Sequence, residues 1–282
     1  MKQLFYILTF LFIGNHLYAQ SIIPPISSFS QWAIMSIDSG TVRISYALNA
    51  VDIKDTKTYD DLQRLDIGSK SSKYYSYYIF NNDSLRKDFG KKRTEDIPIT
   101  PGEFGKKGYT WSLLIWSDYF KDFTKNTLTE YALMPRGVYS CQYTEEMPVQ
   151  EWELHEDTLA ICGYLCQKAT CRFRGRNFVA WFAPELSISN GPWKFGGLPG
   201  LILKVYDTDE LYIFECIKIE SLKNKFPITL YDGPFFRKIE RIKLRNLDKE
   251  IYNDYHKFIQ VTNSDGVPEK FTPIPYHPLE LE

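Results

Sequence analysis

The chain is poor in the residues that announce chemistry. Its 282 residues include four histidines, five cysteines and four methionines. Beyond the first twenty residues the histidines are His155, His256 and His277, with no HxH, no HExxH and no Cys/His pair at ligand spacing. That excludes the common built-in metal sites, and no cofactor is implied. There is no Cys-x-x-Cys redox motif and no Gly-x-Ser-x-Gly elbow. Neither sign of charge prevails, with 34 Lys and Arg against 35 Asp and Glu, so nothing argues for a nucleic-acid partner. No apolar run approaches the roughly twenty residues that cross a bilayer as a helix. No internal repeat is evident.

What is there begins with an export leader. Lys2, the apolar run Leu4 to Ile13 and Leu17-Tyr18-Ala19 read as a signal peptide over residues 1–19, cut after Ala19. No cysteine follows the cut, so the lipid-anchor pattern is not met. Residues 20–37, with Pro24-Pro25 and a serine-rich patch, read as an N-terminal arm. Residues 38–282 read as a single β-rich domain, and the mature chain carries no further transmembrane segment. An exported protein of the periplasm or outer membrane follows.

All five cysteines lie in the mature chain, where an oxidising compartment permits disulfides. Cys162 and Cys166 are about 13 Å apart on a regular strand and do not pair there. Cys171 with Cys216, or Cys141 with Cys162, pair only if their strands are neighbours, and the sequence does not decide the connectivity.

Gly191-Pro-Trp-Lys-Phe-Gly-Gly-Leu-Pro-Gly-Leu-Ile-Leu203 is the most constrained stretch. Leu198 to Leu201 predicts a type II turn, with Pro199 fixing φ and Gly200 supplying a positive φ. A phosphate loop at Gly196-Gly197, with Lys194 beside it, needs a following helix; the apolar Leu201 to Tyr206 predicts a strand instead. A compact turn wedged under Trp193 and Phe195 is the favoured reading.

Short strands are predicted at Thr41–Leu48, Leu65–Gly68, Ser72–Phe80, Trp111–Tyr119, Leu128–Pro135, Val138–Tyr143, Glu151–Leu154, Thr158–Ile161, Leu165–Phe173, Phe178–Ala183, Leu201–Tyr206 and Leu211–Ile219. Gly175-Arg176-Asn177 and Asp207 to Glu210 predict hairpin turns, and residues 83–108 a solvated loop with a short helix at its start. At the end Leu247, Ile251, Tyr255 and Ile259 fall at helical spacing with Phe258 beside them, which predicts a helix over 247–260 capped by Asn246. The fold class is therefore mainly β: a single curved antiparallel sheet forming an open barrel or sandwich, with the C-terminal helix packed on it.

Gly196-Gly197-Leu198-Pro199-Gly200-Leu201-Ile202 resembles the signature of the GLPGLI family of secreted bacterial proteins. Gly163 to Ala169, Phe173 to Arg176, Ala180 to Glu185 and Gly191-Pro192 precede it in that family's order, and Leu65–Gly68 and Ser72–Ser76 are similar to its N-terminal half. The resemblance implies an exported, β-rich envelope protein and brings no catalytic residues with it.

The residues themselves offer one polar constellation. Arg172, Arg174 and Arg176 alternate with inward-pointing Cys171 and Phe173, and guanidinium forks suit carboxylates, phosphates and peptide ends. Trp181, Trp193 and Lys194 lie near that hairpin in sequence and complete the candidate ligand set. His155, Asp157 and Cys166 contain the elements of a thiol triad, against a solvated histidine and a packed cysteine. A carboxylate pair for hydrolysis could lie among Glu145, Glu146, Glu151, Glu153 and Glu185. The leading expectation is a non-enzymatic binding or carrier module for an amphipathic lipid-like or peptide ligand. The alternatives are a docking partner in an outer-membrane assembly, by edge-strand addition, and a hydrolase with dispersed carboxylates.

Overall fold

The computed structural model describes residues 33–80, 116–134, 138–232, 234–254, 257–258 and 276–282. The leader, residues 20–32 of the arm, and the 83–108 segment fall outside them. The expected arm ends earlier than its composition suggests, because residues 33–37 already belong to the first strand.

Two up-and-down meanders share one sheet. The first runs β1 (Ala33–Leu48), β2 (Asp61–Gly68), β3 (Ser71–Ser76), β4 (Trp116–Asp122), β5 (Thr127–Leu133) and β6 (Cys141–Glu146). The second runs β7 (Glu153–Ile161), β8 (Tyr164–Phe173), β9 (Arg176–Ala183), β10 (Leu201–Asp207) and β11 (Ile213–Asp232). They join where β1 and β11 pair antiparallel from Ala33↔Asp232 to Leu48↔Phe214. A two-residue strand, β12 (Arg237–Lys238), adds in parallel to β6. The sheet is open, with β12 and β7 at its edges.

The expected mainly β class with a C-terminal helix is what the chain forms, and the differences are local. Glu151–Leu154 and Thr158–Ile161 are parts of one strand, β7, whose register with β8 shifts between Leu154 and Thr158. β11 continues thirteen residues past Ile219; it pairs there with the sixteen-residue β1, so pairing rather than burial holds it. The tight hairpin of β8 and β9 turns at Arg174-Gly175, one residue earlier than expected, with both φ positive at 49° and 83°. That is the primed-turn geometry whose twist matches flanking strands.

Curvature brings the meanders face to face. Ile44, Tyr46, Leu65 and Tyr74 of the first meet Phe178, Phe182, Val205 and Phe214 of the second in one buried cluster. The Tyr46 hydroxyl donates to the Ile202 carbonyl at 2.8 Å across that interface. Residues 184–200 plug its mouth with Trp193, Phe195 and Leu198, all at most 1% exposed. Lys121 of β4 ties this loop down, donating to Asn190 Oδ1 at 2.8 Å and the Phe195 carbonyl at 2.5 Å.

The helix, α1 (Arg241–Asn253), starts six residues before the expected Leu247; its N-cap position is Glu240, which makes no side-chain capping hydrogen bond, and not Asn246. Its inward face carries Leu244, Asp248, Ile251 and Tyr252. The polar Asp248 interrupts the apolar stripe, which hides the first turn from a periodicity reading. Leu247 and Phe258 pack beside Leu244 and Ile251, while Tyr255 and Ile259 lie outside the described residues.

The Leu198–Leu201 turn corrects the type II expectation, since Gly200 is not among the positive-φ residues. Gly200 N–H donates to the Leu198 carbonyl at 2.8 Å, a three-residue turn centred on Pro199. Glycine is needed here for space: a Cβ would lie 2.3 Å from the Ala183 carbonyl oxygen. At Gly196 nothing comes nearer than 3.7 Å. Gly200→Ala should therefore lower the unfolding free energy by about 2–3 kcal/mol, and Gly196→Ala by well under about 1 kcal/mol, in parallel denaturant titrations. Equal effects would remove the steric account.

Candidate functional site

The six candidate ligand residues are dispersed by the fold. Trp193 is interior, edge-to-face with Phe195 at 5.0 Å and Phe173 at 5.7 Å, and offers no face to a ligand. Arg172 is exposed, and Trp181 is half-buried with one side against the core. Arg174 lies in the turn rather than on the strand, so Arg172 and Arg174 do not share the expected face.

Arg174, Arg176 and Lys194 do converge, on a segment of the chain itself. Residues 276–282 cross the end of the β8–β9 hairpin. Arg176 donates to the Pro278 carbonyl through Nε at 2.9 Å and Nη2 at 2.7 Å, and its Nη1 meets Asp207 at 3.0 Å. Leu281 N–H donates to the Arg174 carbonyl at 2.8 Å. Tyr212 donates its hydroxyl to the His277 carbonyl. The Arg176 side chain and the Arg174 backbone carbonyl thus hold a segment of the same chain, while the Arg174 guanidinium turns to Glu145.

Lys194 is the centre of the buried charge beneath this segment. Its ammonium touches Glu280 and the Tyr143 hydroxyl and lies 3.1 Å from Glu130 and 3.9 Å from Glu145. Glu130 is held further by Arg245, by Ser117 at 2.8 Å and by Tyr143 at 2.9 Å. Glu145 pairs with Arg174 at 2.6 Å and Glu280 with Arg241 at 2.6 Å. Burial alone pushes the Glu130 carboxyl up, but Arg245, Lys194 and their hydrogen bonds outweigh it and hold the group at about 2. Glu280 is likewise raised by burial and pulled below its usual value by Lys194 and Arg245. Both carboxylates are thus fixed in the charged form, and neither is the raised acid that a hydrolytic pair needs.

Asp248 is the exception. Burial pushes it up to about 7, against the pull of Arg245, with Glu130 and Glu280 adding to the rise. Its Oδ1 is buried without a hydrogen-bond partner. The periodicity of α1 gives no sign of this group, because an aspartate in an apolar stripe reads as a break.

Above the charge cluster lies a cleft of ≈ 350 Å³ between α1 and the 276–282 segment. Arg245 and Glu280 form its floor. Asn246, Lys249 and Ile242 line the helix side, and Tyr276, Pro278, Leu281 and Glu282 the other. Tyr276 packs against Tyr252 of α1 with the ring centroids 4.9 Å apart and the planes tilted by 39°, which holds its ring in place. The volume lies at the lower end of the range for small-ligand sites, and few but fixed polar groups point in. None of its lining residues was singled out by the sequence; Asn246 was noted only as a cap.

The other constellations do not assemble. His155 Nε2 meets Thr170 Oγ1 at 2.8 Å, Asp157 faces Lys168 at 3.7 Å, and Cys166 is fully buried with its thiol on the Tyr164 carbonyl. Glu146, Glu151, Glu153 and Glu185 are exposed. Among the described residues no group of three or more His, Cys, Asp or Glu could hold a metal. No helix there is long and apolar enough to cross a membrane.

Residues 120–246 match the family model described as N-glycanase peptide, N-terminal domain, a little short of half the chain. Two solved structures are similar. The structure of PNGF-II in the P21 space group has 14% identity and a TM-score of 0.48, covering 75% of this chain and 33% of that one. The C2 form gives 14% and 0.46, with 75% and 32% covered. The chain thus spans about a third of their length. No curated protein matches it.

Two outcomes test the charge cluster. Lys194→Met leaves Glu130 and Glu280 buried beside one cation fewer, and should cost about 3–5 kcal/mol in urea unfolding; a loss under about 1 kcal/mol would show the cluster is solvated. Asp248 ordinarily titrates at 3.8 and in the fold at about 7, so the folded state holds the extra proton. Its stabilising contribution is complete below about pH 4 and is lost as pH rises through about 7. Asp248→Asn should flatten that part of the stability–pH curve; an unchanged decline would assign it to another group.

Proposed function

We propose that this chain is a non-catalytic binding module of the bacterial cell envelope, taking the terminal sugars of a glycan in the cleft between α1 and residues 276–282. The observation that carries the reading is the cleft, whose floor is already neutralised. Arg245 and Glu280 are each paired below, so a charged ligand gains little there and a hydroxylated neutral one gains hydrogen bonds. Asn246 and Lys249 supply donors at the helix side, and the fixed Tyr276 ring offers an apolar surface to the C–H face of a sugar.

The match to the N-terminal domain of an N-glycanase supports a glycan as the ligand class and an accessory role. The leader and the GLPGLI resemblance support export to the periplasm or outer membrane. The carrier reading for an amphipathic lipid or peptide rested on a concave aromatic face and free arginines. Trp193 and Phe195 fill that face, and Arg174 and Arg176 hold the chain's own residues.

The test is calorimetric titration of the mature protein with oligosaccharides released from N-linked glycoproteins, and with a lipid and an extended peptide as comparisons. Saccharide binding, weakened tenfold or more by Tyr276→Ala and by Asn246→Ala with the fold intact, is the expected result. Binding insensitive to both variants removes the cleft from the site. Binding of the lipid or the peptide alone overturns the ligand class.

A further inference from the structure

The tip of the β7–β8 hairpin carries a cysteine where the backbone does not favour one. Cys162 and Gly163 form its two-residue turn, with φ of 49° and 84°. The first position of such a turn suits Asn, Asp or Gly, and a side chain without their local hydrogen bonds is held there at a cost. The tip lies against β11, three strands away in the sheet order, because the second meander curls over itself. Cys162 Sγ donates to the carbonyl oxygen of Cys216 at 3.0 Å, which brings the two residues side by side.

We propose that Cys162 and Cys216 form a disulfide that fastens the β7–β8 tip to β11 when the protein meets a disulfide oxidant. The two residues differ in the way that exchange requires. Cys162 is exposed, and the neighbouring Cys216 side chain draws its thiol below the usual value. Cys216 is buried and raised by the Cys162 contact and by burial. The Cys162 thiolate attacks one sulfur of an oxidant R–S–S–R, forming a mixed disulfide and releasing one thiolate. Cys216 then loses its proton to solvent and attacks the Cys162 sulfur, releasing the second. Two protein thiols are oxidised, one external disulfide is reduced, and no other reactant is needed. Cys166 is fully buried with its thiol turned to the Tyr164 carbonyl, whereas Cys162 Sγ sits at Cys216, so Cys216 rather than Cys166 is the partner. The bridge lies apart from the cleft, and its failure leaves the glycan reading untouched.

The experiment is oxidation of the mature protein with oxidised glutathione, then denaturation, alkylation with iodoacetamide, intact mass and peptide mapping. Of the five cysteines, three alkylated thiols and one crosslinked peptide pair joining Cys162 to Cys216 are expected. The same link should survive in Cys166→Ala. Oxidation should raise the melting temperature by roughly 10 °C in the unaltered protein and not in Cys162→Ser. Five alkylated thiols, a link through Cys166, or a glutathione adduct that persists on Cys162 would each overturn the proposal.

Discussion

The ammonium of Lys194 is the constraint on which the rest of this structure depends. It stands on the loop that plugs the core, and its partners come from β5, from β6 and from residues 276–282. Arg245 and Arg241 extend the same network into α1. Five elements spread over the chain are thus held at one point. A buried charge cluster is not a cheap source of stability, since desolvation offsets much of the attraction. What it supplies is exclusivity: any arrangement that separates Lys194 from Glu130 and Glu280 leaves charge buried without compensation. Lys121 shows the contrast on the other side of the loop. Its partners are a side-chain amide and a carbonyl, and burial lowers it to about 7.

That arrangement accounts for the arginine hairpin. Free guanidinium forks on a strand recognise carboxylates and extended peptide. Here the hairpin meets both within its own chain, Glu145 and the 278–281 backbone. Of the three arginines read from the alternation, Arg174 and Arg176 meet groups of their own chain and Arg172 is exposed. A sequence shows which groups bind strongly; it does not show whether their partner is another molecule or the other end of the domain.

The same distinction runs through what was legible. Hairpins, strand alternation and the helix are local, and they stand in the residues: inward Cys171 and Phe173, the Asp207 to Glu210 turn, the Leu247 and Ile251 stripe. What did not show is long-range. The extension of β11 is decided by its pairing with β1, and the Lys194 to Glu280 contact spans 86 positions. Polar residues buried by such contacts, Asp248 above all, look in sequence like interruptions of an apolar pattern. The Gly200 turn failed for a related reason, since the glycine answers to the Ala183 carbonyl, seventeen residues earlier, and not to its own φ.

The long-range contacts decide the chemistry of the cleft as well. Were Arg245 and Glu280 unpaired, a volume of ≈ 350 Å³ with those two groups on its floor would select a zwitterion or an anion. Because Glu130 neutralises the one, and Lys194 and Arg241 the other, the floor has already spent its charge and presents only directional hydrogen-bonding capacity. Selection then falls to the rim, where an amide, an ammonium and a fixed tyrosine ring stand at the edge of a narrow slot. A ligand with many hydroxyls and an apolar ring face, as in the glycan proposed above, would gain from that amide, ammonium and ring.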